Sequence, residues 1–281
     1  MSKLHISSTP HIHQKGSSTR NIMLDVVIAM LPATIAGIVI FGISALWTVL
    51  SCVISAVVAE YVFNLCVGKK QTIGDLSAVV TGLLLALNVS TAVPLWQCVV
   101  GSVFAIVVVK CLFGGIGKNI VNPAITARVF MLLTFGAVGA VALPTVVEIT
   151  TGATPLAALN QGAEVAAAEA PSLMDLFLGL HGGAIGETCI LALIIGFVYL
   201  LVRKVITWHT PVVFIATVFV LYLAFTGDVM MAVSQILAGG LFIGAIFMAT
   251  DYVTTPITTR GRVVFALGCG VITFIIRYFC A

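Results

Sequence analysis

The chain has 281 residues, of which 60% are hydrophobic and 8% are charged, with a formal net charge of +3. Soluble globular domains carry about 25% charged residues, so this composition excludes an ordinary soluble protein. The small excess of Lys and Arg does not indicate a nucleic-acid partner, because Lys and Arg in a membrane protein mainly mark the cytoplasmic ends of its apolar segments.

A polar tail occupies residues 1–22, and continuously apolar segments follow it to the end of the chain. About 20 apolar residues cross a bilayer as a helix, whereas a membrane β-barrel shows alternating polarity. We therefore predict an all-α polytopic membrane protein with one transmembrane domain, 23–280. The apolar segments are 23–43, 46–67, 76–93, 95–113, 129–147, 188–202, 211–226, 229–249 and 263–280.

The distribution of basic residues predicts the orientation of these segments. Cytoplasmic ends carry the excess of Lys and Arg. If the tail is cytoplasmic, every Lys and Arg except Arg277 falls at the cytoplasmic ends of the segments. The longest polar stretch, 148–187, contains acidic residues and no Lys or Arg. We predict that it is an extracytoplasmic loop.

Two stretches about half a chain apart resemble each other. Pro123-Ala124-Ile125-Thr126-Ala127-Arg128 is similar to Pro256-Ile257-Thr258-Thr259-Arg260, and Gly-Asp pairs at 74–75 and 227–228 precede the segments that lead to them. Duplicated halves with Pro-interrupted helices are typical of proteins with a site at the repeat interface. We predict two pseudo-repeated halves, with chance similarity as the alternative. Broken helices are expected at Asn122-Pro123 and at Thr254-Thr255-Pro256, and they line a site or are structural kinks.

Acidic residues in or near apolar segments are costly and are candidates for ion handling. The candidates are Glu60, Asp75 and Asp251, with Glu60 the deepest. Helix caps, salt bridges with nearby Lys or Arg, and hydrogen-bonded burial are the alternatives, and they apply equally to Asp25. The seven Cys residues include no Cys-x-x-Cys pair, so we predict no metal site.

The segment Glu148-Ile149-Thr150-Thr151-Gly152-Ala153-Thr154-Pro155 lies in the long polar stretch. Pro155 disfavours helical geometry at Thr154, and Gly152 and Ala153 leave the Thr154 hydroxyl uncrowded. This pattern suits a threonine that another enzyme modifies, or a simple interhelical turn.

The same segment resembles the flavinylation motif of the Rnf complexes and of the Na+-translocating NADH:quinone oxidoreductases. It continues as Thr-Pro-Leu-Ala, as in RnfD proteins, and the stretches 75–87, 117–123 and 249–262 are also similar to those proteins. The chain thus resembles the RnfD/NqrB family clearly from about residue 75 to the C-terminus. Glu148 and Thr151 stand where the family usually has Asp and Ser, and both keep the charge or the hydroxyl.

The resemblance implies that FMN is joined through its phosphate to Thr154, within a motif completed by Thr151, Gly152 and Ala153. It implies a separate flavin transferase for maturation. It leaves open a second, noncovalent flavin such as riboflavin, and a pocket that contains Asn122, Pro123, Thr254 and Thr255.

The resemblance further implies a prokaryotic inner- or plasma-membrane complex that relays electrons between ferredoxin and NAD+ and moves Na+ or H+. The expected partners are RnfA, RnfB, RnfC, RnfE and the flavin-bearing RnfG, with membrane lipid around them; the chain alone has no complete activity. The NqrB component of the quinone reductase and a urea-transporter-like channel are the alternatives. The family has ten helices in two inverted halves, so a short segment within 172–187 is expected to supply the tenth crossing.

Overall fold

Helices make up nearly all the regular structure of this computed structural model, as the composition predicts. The structure describes residues 18–136, 144 and 172–279, and the backbone of 5–6 and 12–13. In the tail, His5–Ile6 pairs antiparallel with Ile12–His13. The helices are α1 Thr19–Phe41, α2 Ile43–Val67, α3 Ser77–Leu87, α4 Leu95–Phe104, α5 Pro123–Phe135, α6 Leu173–Leu178, α7 Ile190–Val202, α8 His209–Thr226, α9 Val229–Leu237, α10 Leu241–Ile243 and α11 Thr259–Phe279.

Each predicted apolar segment coincides with a helix in the described part of the chain, so the prediction of a polytopic α-helical membrane protein is confirmed. Helices α1, α2, α8 and α11 are long and apolar enough to cross a membrane, and α9 with α10 forms a bent pair that would be a fifth span. Among the described residues, the apolar helices that begin at Ser77, Leu95, Pro123 and Ile190 are shorter, with 10–17 residues. One boundary prediction was wrong: the segment placed at 129–147 begins as helix α5 at Pro123, because Asn122 caps its first turn.

The stretch 172–187 contains helix α6, whose six residues span about 9 Å and are too short to cross a bilayer. Beyond it the chain does not form a solvated loop, since residues 181–186 are buried. The backbone N–H groups of Ile185 and Gly186 donate to the carbonyls of Val89 and Leu87 at 3.2 and 2.8 Å. This segment therefore packs against the end of α3.

Element order supports the predicted repeat. A short helix follows a long one in both halves, α3 after α2 and α9 after α8, and each short helix is preceded by one of the Gly-Asp pairs. The carboxylates of Asp75 and Asp228 each accept a hydrogen bond from the backbone N–H two residues later, at 2.8 Å in both cases. The sequence similarity thus has a structural counterpart in these two carboxylate–backbone hydrogen bonds.

A π-helical segment follows in each half, Ala105–Cys111 after α4 and Gly244–Met248 after α10. The two Pro-containing stretches come next and lead into α5 and α11. The prediction of broken helices at these stretches was wrong in position. Pro123 is the first residue of a helix, Pro256 precedes one, and the bend of 66° lies between α9 and α10.

Short helices that end inside the protein leave carbonyl groups that need donors. At the end of α3, the Asn88 amide donates to the Leu84 carbonyl at 2.7 Å, and Arg128 donates to Asn88 at 3.1 Å. At the end of α9, the Arg277 guanidinium donates to the Gln235 carbonyl at 2.6 Å. Arg277, the one exception to the charge pattern, therefore caps a buried helix terminus.

Two hydrophobic clusters form the main core. One contains residues of helices α1 through α5 and of α7, and the other contains residues of helices α8 through α11. Helix α7 approaches α1 so closely at Gly196 that a β-carbon there would collide with the Ala29 carbonyl. Small residues commonly allow such approach in membrane proteins, and this contact brings the two halves together beside the candidate site.

Candidate functional site

A cavity of about 400 Å³ lies where the two halves meet. Its wall is mostly apolar and is drawn from α1, α3, α7, the stretch before α5 and the residues around the second π-helical segment. The polar members of the wall are Thr19, Ser77, Thr81, Lys110, Asn119, Asn122, Thr250, Asp251 and Tyr252. An apolar cleft of 300–1,000 Å³ with a few polar groups is typical of a small-molecule site.

The predicted pocket residues divide between two cavities. Asn122 and Pro123 line the main cavity. Thr255 instead lines a neighbouring cavity of about 170 Å³ and donates to the Ala249 carbonyl at 2.7 Å. The hydroxyl of Thr254 lies 3.5 Å from the Asp251 carboxylate. The structure thus brings Asn122 and Pro123 to the main cavity and leaves Thr254 and Thr255 out of its wall.

Asp251 lines the main cavity, just beyond the second π-helical segment. It has no Lys, Arg or His partner within salt-bridge distance among the described residues. Burial raises the pKa of this carboxyl, and hydrogen bonds from Val253 and Thr254 oppose the rise only in part. Asp251 is therefore a carboxyl group that binds a proton more readily than an exposed one.

Glu60 is buried in α2 and forms an ion pair with Lys110, at 2.9 Å between Nζ and Oε2. Both side chains are almost fully enclosed, with 2% and 4% of their surface exposed. Lys110 lies in the first π-helical segment, and such segments often occur at functional sites. The expected partner of a buried acid is therefore present, and it also lines the main cavity.

Hydroxyl groups extend this ion pair on both sides. Thr72 donates to Glu60 Oε1 at 2.5 Å and accepts from the Asn64 amide at 3.0 Å. Lys110 donates to the Ser77 hydroxyl at 2.6 Å, and Ser77 donates to Asp75 at 2.5 Å. The bonds run without a gap from exposed Thr72 to the cavity wall at Lys110 and Ser77. We call these six side chains the polar chain: Asn64, Thr72, Glu60, Lys110, Ser77 and Asp75.

Formal charges in the polar chain do not balance. Glu60 and Asp75 are acidic, and Lys110 is its single base. If both carboxylates are ionised, the chain carries one net negative charge, which one monovalent cation or one proton would neutralise. Glu60 and Lys110 are buried and neutralise each other, so the remaining negative charge lies at the partly exposed Asp75, where a cation can approach it.

Asp25 forms a second salt bridge, with Arg203, the residue that follows α7. The guanidinium contacts both carboxylate oxygens at 3.1–3.2 Å, and Tyr199 donates to the same carboxylate at 2.9 Å. Half of the Arg203 side chain is exposed. This contact ties α1 to α7, and it corresponds to the salt-bridge alternative considered for Asp25.

Sequence reasoning missed Lys110, Ser77 and Asn119, which join the predicted residues around the cavity. A lysine inside an apolar segment is itself a signal that a buried anion is nearby. The predicted flavin site, Thr151, Gly152, Ala153 and Thr154, lies outside the described residues. No group of three or more His, Cys, Asp or Glu residues suited to a metal occurs within 18–136 and 172–279.

Comparison with known proteins gives consistent matches over nearly the whole chain. The model of the NQR2, RnfD, RnfE family matches residues 5–281. The D subunit of the Na(+)-translocating ferredoxin:NAD(+) oxidoreductase complex of Acetobacterium woodii is 44% identical over 279 residues, which cover 98% of this chain and 86% of the relative. The D subunit of the proton-translocating complex of Clostridium ljungdahlii is 40% identical, with 97% and 86% covered. The D subunit of the ion-translocating oxidoreductase complex of Stutzerimonas stutzeri is 36% identical, with 93% and 83% covered.

Proposed function

The chain belongs to the NQR2, RnfD, RnfE family, and on that premise we propose that it is the RnfD membrane component of an Rnf-type complex. Such a complex transfers electrons from ferredoxin to NAD+ and moves Na+ or H+ across the membrane. Relatives named as D subunits of Na+- or proton-translocating ferredoxin:NAD+ oxidoreductase complexes match at 40–44% identity over almost the full chain. The chain acts as one relay beside RnfA, RnfB, RnfC, RnfE and RnfG and has no complete activity alone.

Thr154 is the proposed attachment point of FMN, through a phosphodiester made by a separate flavin transferase. The support is the sequence Glu148-Ile149-Thr150-Thr151-Gly152-Ala153-Thr154 in a stretch without Lys or Arg, which is predicted to be extracytoplasmic. A flavin accepts electrons and passes them on singly or in pairs. A covalent tether keeps it close to its donor and avoids the entropy cost of recapturing a diffusing cofactor.

The main cavity is the proposed site of a second, noncovalent flavin such as riboflavin. Its residues fit such a group: the wall is largely apolar, as a three-ring system requires, and Asn119, Asn122 and Lys110 provide donors and acceptors for ring carbonyl and imide groups. Lys110, which lines this cavity, belongs to a cytoplasmic end in the predicted charge pattern, so the proposed position of the cavity is toward the cytoplasmic side. Two flavins near opposite faces would extend the electron path across the protein.

Glu60, Asp75 and Asp251 are the proposed ion-handling residues. Glu60 and Asp75 belong to the polar chain, which carries net negative charge and reaches the exposed loop at Thr72. Asp251 faces the same cavity without a basic partner among the described residues. These features suit Na+ or H+ equally.

Flavin attachment is testable on the complex purified from the native host. Intact-mass spectrometry of this protein should show one FMN-sized adduct, and its denatured gel band should fluoresce under ultraviolet light. Thr154→Ala should abolish both signals, while the control Thr151→Ser, which restores the usual motif serine, should keep them. A dark wild-type band without an adduct would favour the channel alternative.

A further inference from the structure

The ammonium group of Lys110 is shared between two acidic partners. It bonds directly to Glu60 at 2.9 Å and reaches Asp75 through the Ser77 hydroxyl, at 2.6 and 2.5 Å. An ammonium has three N–H donors, and these contacts account for two. Lys110 and Ser77 also line the main cavity, whereas Glu60 does not. Lys110 is thus the member of the polar chain that both neutralises Glu60 and faces the cavity.

We propose that Lys110 is the coupling residue of this protein, which leaves Glu60 when negative charge enters the cavity and so frees Glu60 to bind a cation. This inference rests on the proposed function, which supplies an electron carrier in the cavity and an ion to be moved. Lys110 is a positioning residue here, because it acts through Glu60.

The physical basis is competition between two anions for one cation. A charge placed in an apolar cavity is weakly screened, so it attracts a nearby ammonium strongly. Lysine has a flexible four-carbon stem, and the Ser77 hydroxyl already holds its ammonium on the cavity side. A short movement toward the cavity would therefore break the Glu60 contact while Ser77 and Asp75 continue to stabilise the ammonium.

Glu60 would then be a buried carboxylate without its counter-ion. Thr72 places its hydroxyl oxygen beside it, and Thr72 is exposed. One Na+ or H+ entering from the Thr72 side would restore neutrality. The charges balance: one electron from ferredoxin adds one negative charge to the cavity, and one cation binds at Glu60. When the electron moves on to the next carrier, Lys110 returns to Glu60 and the cation is released.

The experiment measures cation uptake at equilibrium, without turnover. The purified wild-type complex is compared in its oxidised state and after reduction by dithionite. Bound ²²Na+ is counted per complex, and proton uptake is followed with a pH indicator. Reduction of the wild type should add cations. Lys110→Met should lose about one of these per complex, because Glu60 is then free and occupied in both redox states.

Ser77→Ala gives an independent test, since it keeps every charge. Without the serine hydroxyl the ammonium stays with Glu60. Redox-dependent uptake should therefore be lost in this variant too, but here because Glu60 binds no cation in either redox state. Arg203→Met, which breaks the other salt bridge, is the matched control and should take up cations as the wild type does.

Wild-type uptake in both Lys110→Met and Ser77→Ala would overturn the role of Lys110 while leaving the proposed function intact. Loss of uptake in Arg203→Met as well would show a general structural effect and would also overturn it. If the wild-type complex takes up no cation on reduction, the coupling in the proposed function fails too.

Discussion

The two salt bridges found among the described residues use the same chemistry in different surroundings. Lys110 and Glu60 form one hydrogen bond and are almost fully buried. Arg203 instead donates to both carboxylate oxygens of Asp25, and its side chain remains half exposed. The buried pair continues through hydroxyl groups to other polar side chains, and one of its members lines the cavity.

This difference separates a contact that can switch from one that mainly holds helices together. A bidentate Arg–carboxylate contact has fixed geometry, and between α1 and α7 it supports the interface of the two halves. The Lys110 ammonium, which makes a single bond to the Glu60 carboxylate, has a second partner next to it in the Ser77 hydroxyl. Burial also makes that contact sensitive to any new charge nearby.

Breaking the buried pair should have the largest effect. In Lys110→Met, Glu60 loses its buried partner, which typically costs about 3–5 kcal/mol in the free energy of unfolding when the buffer lacks Na+ and is alkaline, so that no cation replaces the ammonium. Unfolding of the purified complex in increasing denaturant would measure the loss. A variant as stable as the wild type would contradict the buried ion pair.

Removing both charges should restore most of that loss. In the Glu60→Gln/Lys110→Met double variant no charge is left unpaired, so its stability should exceed the value expected from adding the two single effects. The double-mutant cycle gives an interaction energy, and contacting residues typically show about 0.5–3 kcal/mol. Simple additivity would mean that the two side chains do not interact.

Arg203→Met should destabilise less, because solvent and salt screen a half-exposed guanidinium. The difference in unfolding temperature from the wild type should shrink further when the salt concentration is raised. The same titration, made with a salt whose organic cation is too large to replace Na+ at Glu60, should leave the Lys110→Met difference nearly unchanged. Equal salt dependence in both variants would remove the distinction between the two pairs.

Asp251→Asn should change stability the least. It tests a carboxylate that pairs with neither Lys nor Arg among the described residues. Burial raises the pKa of Asp251 in the folded state. The stabilisation that protonated Asp251 contributes is therefore fully present below the ordinary Asp pKa of about 3.9. It is lost as the pH rises through the raised pKa. The neutral amide should therefore raise the unfolding temperature by about 1–3 °C at pH 7–8. That gain should vanish toward pH 4, and a gain independent of pH would point to another cause.

Much of the fold follows from local sequence. Hydropathy predicted the helical class and the apolar segments, and the Gly-Asp pairs contributed to the predicted repeat. The start of α5 was placed too late because Asn122 was interpreted as part of a break, although Asn followed by Pro is also a helix-start signal. Arg277 remained an exception to the charge pattern until its contact with the Gln235 carbonyl was seen.

The sequence by itself determined that this is a helical membrane protein, it predicted two repeated halves, and it carried the family resemblance, because apolar length, turn residues and short motifs are properties of contiguous residues. Only the tertiary structure decided which charges meet. Glu60 pairs with a lysine 50 residues away, and Asp25 with an arginine 178 residues away. Such partners are selected by how helices pack in three dimensions, since each buried charge must find compensation wherever the fold supplies it.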